Sequence, residues 1–130
     1  MKNDEEVIRI YYGNNDYHDP QTLAKAESDY LDVISIDVRK TPLTGTQLLE
    51  MAEKLGVDLP EMINKEIKDY KEVVSKSSYD TEDWIKIIQE NPHLLRTMAQ
   101  RGDRMIFVNS PTDIKAFSRI DQDIDMYKRS

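Results

Sequence analysis

Cysteine is absent from the 130 residues. That absence excludes disulfide bonds, thiolate nucleophiles, thiolate zinc sites and iron–sulfur clusters together. Long apolar runs are missing as well, and none approaches the roughly 20 residues that span a bilayer. Positive charge is in deficit: 18 lysines and arginines stand against 25 acids, giving a formal charge of −7 and a pI near 4.8. Nucleic acid and anionic lipid surfaces are bound through clustered cations, so this balance argues against both as partners. The opening Met1-Lys2-Asn3-Asp4-Glu5-Glu6 lacks the basic and apolar stretches of a secretion signal, and the expectation is a cytoplasmic protein.

What is present fits a single domain over residues 1–130, long enough to bury a core without staples. With 38% hydrophobic and 33% charged residues, thin half-exposed helices around a small sheet are expected. Val7-Ile8-Arg9-Ile10-Tyr11-Tyr12 is β-branched and aromatic and ends at Gly13-Asn14-Asn15, which reads as a strand buried on most of its surface. Asp19-Pro20 reads as a helix start, an aspartate cap with proline at the first helical position, and the helix runs through Leu23, Ala24 and Ala26 to about Ser28. Asp32 to Val38 reads as a second strand. The stretch between the strands holds a helix, which suits a right-handed parallel crossover and is too long for a hairpin.

The middle of the chain reads as helical. Thr44-Gly45-Thr46-Gln47 has the form of a capping box, followed by Leu48, Leu49, Met51, Ala52 and Leu55, with Gly56 as the stop. Asp58-Leu59-Pro60-Glu61 predicts a capped short helix carrying Met62 and Ile63. Ile67, Tyr70, Val73 and Val74 predict a third helix over about Glu66 to Lys76. A fourth opens at Asp80-Thr81-Glu82-Asp83, turns Trp84, Ile85, Ile87 and Ile88 inward, and ends before Asn91-Pro92. Two extended runs around Arg101-Gly102-Asp103 then predict an antiparallel hairpin. Ser110-Pro111-Thr112-Asp113 caps a last helix with Ile114, Ala116 and Phe117, and a polar tail begins at about Ser118.

The order β-α-β, helices, β-hairpin, α is similar to a thioredoxin-like fold, an α/β (α+β) arrangement with a mixed four-stranded sheet and a helical insertion. Three stretches carry a more specific resemblance: the first strand with Tyr11-Tyr12, the proline-led helix start Thr41-Pro42-Leu43-Thr44-Gly45-Thr46-Gln47-Leu48, and Asn91-Pro92-His93-Leu94-Leu95-Arg96. In their order and spacing, over about Val7 to Phe117, the chain resembles the arsenate reductase and Spx family, as a cysteine-less divergent member. The resemblance implies a bacterial, Spx-like relative. Spx-type proteins act by binding RNA polymerase, but this chain does not show the residues that would claim that partner.

The departures from the family pattern fall on its chemistry. Matched from the end of the first strand, Asp16 stands where the family's cysteine belongs. The family's arginine in the middle stretch falls on Asn64, and its Arg-Pro pair falls on Thr97-Met98, so the peptide bond before Met98 is expected to be trans. Arsenate reduction needs a thiolate to attack arsenic and arginine forks to hold the oxyanion. The aspartates at Asp16 and Asp19 would repel that oxyanion. No catalytic residue is therefore assigned, and no cofactor is implied.

Other candidates have simpler explanations. Asp16-Tyr17-His18-Asp19 offers possible ligands, but Asp19 as a helix cap and His18 as a solvated loop residue account for it, and no metal is expected. Glu82-Asp83 and Asp121, Asp123 and Asp125 lie at a helix start or in the polar tail. Arg101-Gly102-Asp103 is a hairpin turn rather than an adhesion signal. Two functional expectations remain. One is a redox-inert scaffold that binds another protein in a regulatory role. The other is a small-ligand binder or enzyme with a non-thiol pocket rebuilt at the former active-site loop, from Asn14, Asp16, Tyr17, His18, Asn64, Arg96 and Thr97.

Overall fold

The computed structural model describes residues 7–14, 32–76, 78–110, 113, 114 and 117. Its centre is a four-stranded mixed sheet in the order β2-β1-β3-β4. Strand β1 (Val7–Tyr12) pairs in parallel with β2 (Asp32–Asp37), from Val7 opposite Asp32 to Tyr12 opposite Asp37. On its other side β1 runs antiparallel to β3 (Met98–Arg101), which forms a hairpin with β4 (Arg104–Phe107). Gly102 occupies the left-handed region at φ 59°, as the tight turn between paired Arg101 and Arg104 requires. The parallel pair and the hairpin are those the sequence predicts. The predicted helix from Asp19 to Ser28, and the tail from Ser118, lie outside the described residues.

The sheet buries both faces, which explains the near-continuous apolar character of β1. Side chains alternate across a strand. Ile8 and Ile10 therefore join Ala99, Val108, Ile114 and Phe117 in one core, while Tyr11 joins Met98 and Met105 in the other. Ile114 and Phe117, from the predicted last helix, are each only 2% exposed. The second core is the larger and receives the helical insertion.

Helix α1 (Gly45–Leu55) starts at a reciprocal capping box: the Gln47 amide donates to Thr44 Oγ1, and the Thr44 amide donates to Gln47 Oε1. It ends at Gly56 in the left-handed conformation, whose N–H donates to the carbonyls of Ala52 and Glu53. Leu48, Met51 and Ala52 are buried, but Leu49 is 45% exposed. One residue past Leu48 on a helix is about 100° around the axis, so Leu49 faces water rather than the core.

Two predicted helices are shorter than expected. Leu59–Met62 is a 3₁₀ turn in which Asp58 makes no side-chain cap. The chain leaves the turn at Ile63 to form an antiparallel bridge with Leu95. The third predicted helix contracts to the single turn α2 (Tyr70–Val73), with no buried residue. Asn64 Oδ1 accepts the Glu66 amide and holds the preceding residues in a turn. Asp69, which would cap α2, has its carboxylate on His93 Nε2 at 2.8 and 3.0 Å instead. Helix α3 (Thr81–Glu90) forms as expected, with a capping box between Asp80 and Asp83, and buries Ile88 against the larger core. Asn91 closes it, and Pro92–Leu94 follows as a 3₁₀ turn.

Candidate functional site

Two chain segments distant in sequence are stitched together beside the sheet. The Asn64 amide donates to the Leu94 carbonyl at 2.7 Å and the Arg96 amide to the Met62 carbonyl at 2.8 Å, on either side of the Ile63–Leu95 bridge. The Val108 amide donates to the Thr97 carbonyl at 2.9 Å, extending the hairpin past its strands. Between these segments and the end of β1 lies an open cleft of about 480 Å³.

Four of the residues selected from sequence line this cleft together: Asn14, Asn64, Arg96 and Thr97. Asp16, Tyr17 and His18 lie outside the described residues. Asn14 is anchored through Nδ2 to the His93 carbonyl at 3.1 Å. Asn64 spends its oxygen on the Glu66 amide. Thr97 is only 5% exposed. Its peptide bond to Met98 is trans, as expected.

Arg96 is held by neutral groups on three sides. Nη1 donates to the Glu61 carbonyl at 3.2 Å, Nη2 donates to Asn109 Oδ1 at 2.9 Å, and the guanidinium carbon sits 3.7 Å from the centroid of the Phe107 ring. Stacking on an aromatic face restrains the guanidinium plane and leaves its edge donors available. Asn109 is positioned in turn by Asp113, whose Oδ2 accepts the Asn109 and Ser110 amides at 2.7 and 3.2 Å.

Phe107, Asn109, Glu61, Lys65 and Glu66 also line the cleft and were not selected from sequence. Period-two alternation places Phe107 on the same face as Met105, a legible signal for its side of the sheet. Nothing local pairs it with Arg96. The charges of the cleft balance, Glu61 and Glu66 against Lys65 and Arg96. Among the described residues no histidine lines it, and no three histidine, aspartate or glutamate side chains gather to hold a metal ion. Burial pushes the Tyr11 phenol above its ordinary value, and the hydrogen bond from the Arg39 side chain holds Asp37 below the usual carboxylate range.

No protein-family model matches the sequence, and no curated protein matches it at a significant level. Solved structures do match. An arsenate reductase from Vibrio cholerae superposes with a TM-score of 0.70 at 19% identity, covering 84% of this chain and 95% of that one. A Yersinia pestis protein assigned as an arsenate reductase gives 0.71 at 18%, covering 82% and 96%. A similarly assigned Streptococcus mutans protein gives 0.58 at 18%, again covering 82% and 96%. The fold is that of the arsenate reductases. The likeness is one of architecture, and this version of the arsenate reductase fold contains no cysteine. Asn64 and Thr97, the positions to which the sequence resemblance assigns the family's arginines, face a common cleft without a guanidinium on either. Among the described residues of this arsenate reductase-like fold one arginine lines the cleft, Arg96, adjacent in sequence to the expected position. Among the described residues no helix is long and apolar enough to cross a membrane.

Proposed function

We propose that this chain is a redox-inert, non-catalytic module on the arsenate reductase fold that acts by binding another protein in a regulatory role, in the cytoplasm of a bacterium. The observation that carries the proposal is the composition of the cleft. The resemblance assigns the family's arginines to Asn64 and Thr97, both of which line this cleft, and the chain has no cysteine to act as nucleophile. The matched architectures come from bacterial proteins. The test has two arms. Arsenate-dependent turnover with glutathione and glutaredoxin, or with thioredoxin, should be absent. Affinity capture from a bacterial extract should retain a protein partner in stoichiometric amount. Measurable arsenate turnover would overturn the redox-inert assignment, and capture without a stoichiometric partner would overturn the interaction role.

A second reading is favoured by one observation, the volume of the cleft. At about 480 Å³ it is within the ordinary range for small-ligand sites, and its Arg96 is already oriented. On this reading the cleft is a rebuilt ligand pocket, and ligand binding should raise the melting temperature.

A further inference from the structure

The side chain of Arg96 has an unusual environment for a surface arginine. It carries five N–H donors, and its described hydrogen bonds use one on each Nη, toward a backbone carbonyl and a carboxamide oxygen. Among the described residues it has no carboxylate partner. The guanidinium is thus fixed in place by neutral groups and a ring, with its positive charge uncompensated by any bond and donors remaining at the edge of a cleft. Pre-positioning of this kind lowers the entropy lost when an anion docks.

Two carboxamides extend the donor surface. Asn64 and Asn109 both use their oxygens inside the protein, on the Glu66 amide and on Arg96, so their NH₂ groups are the ends left to meet a ligand. Glu61 and Glu66 line the same cleft, with Lys65 between them in sequence. A compact dianion such as phosphate would meet one fixed guanidinium and two carboxylates. A planar carboxylate matches the guanidinium fork in shape and carries half that charge. A cation on the same ligand would turn Glu61 and Glu66 from repulsive neighbours into partners.

We propose that this cleft binds a small zwitterionic ligand, with its carboxylate on Arg96 and the amides of Asn64 and Asn109, and its cationic group toward Glu61 and Glu66. That chemistry belongs to a free amino acid, of which lysine is the probe, and equally to a peptide C-terminus ending in lysine or arginine. The inference rests on the second reading above, that the cleft is a ligand site, and names what the site takes.

The test is a titration of the full ¹⁵N-labelled chain followed by backbone amide resonances. The probes are L-lysine, the peptide acetyl-Gly-Lys as free acid and as C-terminal amide, and inorganic phosphate. The free acid or lysine should move the amides of Asn64, Thr97 and Asn109 saturably. The C-terminal amide should bind about tenfold more weakly or worse, the factor carried by losing a charge-assisted bond. Stronger binding of the peptide acid than of lysine identifies a peptide terminus as the source, and the reverse identifies a free amino acid. Arg96→Lys keeps a positive charge without the fork and should lose a similar factor. Glu61→Gln and Glu66→Gln change exposed side chains and leave the scaffold intact. They should weaken the lysine-containing probes and not strengthen them. Equal binding of acid and amide, or full affinity in Arg96→Lys, would overturn the proposal. If phosphate alone moves these resonances, the zwitterion assignment falls while the cleft remains a ligand site. If no probe moves them, this proposal and the ligand-site reading fall together.

Discussion

Gly13 and Pro92 lie so close that a Cβ on Gly13 would sit 1.9 Å from the Pro92 carbonyl oxygen and 2.9 Å from its carbonyl carbon. Gly13 follows β1 directly, and Pro92 opens the 3₁₀ turn after α3. The contact therefore presses the end of the central strand against the turn that leads to Arg96. The neighbouring bond from Asn14 to the His93 carbonyl lies in the same junction.

Gly13→Ala should be strongly destabilising, because the obstructing atoms are backbone and cannot rotate away. Overpacking of this kind costs about 1–3 kcal/mol and occasionally more. The urea midpoint of unfolding should fall at an unchanged slope. A midpoint equal to that of the wild type would show that the junction yields without cost.

The three helix starts predict a graded response. Thr44→Ala and Asp80→Ala each remove a side-chain acceptor from a capping box and should each cost about 1 kcal/mol. Asp58→Ala removes a side chain that makes no cap and should stay within about 0.5 kcal/mol of the wild type. Thermal unfolding of the three variants side by side checks the ordering.

Tyr11 couples stability to alkaline pH. Its phenol donates to Gln100 Oε1 at 3.2 Å, and burial raises its pKa, an effect the charge of Arg9 partly offsets. A group whose folded pKa lies above its unfolded value contributes stability in full below the unfolded value, near about 10, and loses it as pH rises through the folded one. Tyr11→Phe should remove this alkaline component and cost about 0.5–1.5 kcal/mol at neutral pH through the lost hydrogen bond. Ultraviolet titration of the tyrosines and stability measurements above neutrality provide the check.

Asp37 predicts the opposite pH dependence. Both its oxygens accept from Arg39, with Nε on Oδ1 and Nη2 on Oδ2 at 2.9 Å each, and this side-chain hydrogen bonding is the largest cause of its lowered pKa. Its stabilising contribution is present above the unfolded pKa, near about 3.9, and fades as pH falls through the lower folded value. Arg39→Ala should move the Asp37 pKa upward toward the ordinary range. The residual depression should come from the backbone N–H of residue 39, which still donates to Oδ1, and from the charge of Lys40. Carboxyl carbon titration by NMR reads the shift directly.

Restoring one element of the chemistry should not restore arsenate turnover. Asp16→Cys returns a thiol to the position the resemblance gives it, but Asn64 and Thr97 still stand at the positions to which the same resemblance assigns the oxyanion-holding arginines. Each charge-assisted bond to an oxyanion is worth about 1.5–3 kcal/mol, so the pair is worth orders of magnitude in affinity. A coupled reductase assay on the wild type and the variant should read zero for both.

Much of this protein was settled by features within a few residues of one another. The absence of cysteine fixed the loss of thiol chemistry outright. Thr44 with Gln47, Asp80 with Asp83, and Gly56 and Gly102 marked helix ends and a hairpin turn, because caps and turns are completed by groups three or four positions apart. The apolar runs of β1 and β2, with a helix-sized stretch between them, carried the parallel pairing. Tertiary structure decided what no local pattern encodes. Asp69 pairs with His93 rather than capping its own helix, and Ile63 leaves a nascent helix to bridge Leu95. Arg96 lies on Phe107 because the segment before β3 and the end of β4 meet across the hairpin. Arg96 and Thr97 were recognisable as candidates from motif position, but their arrangement with Asn109 and Glu61 depends on backbone bridges between distant segments. Local signals specify elements because their partners come with the sequence window; a cleft is specified only when packing brings separate windows together.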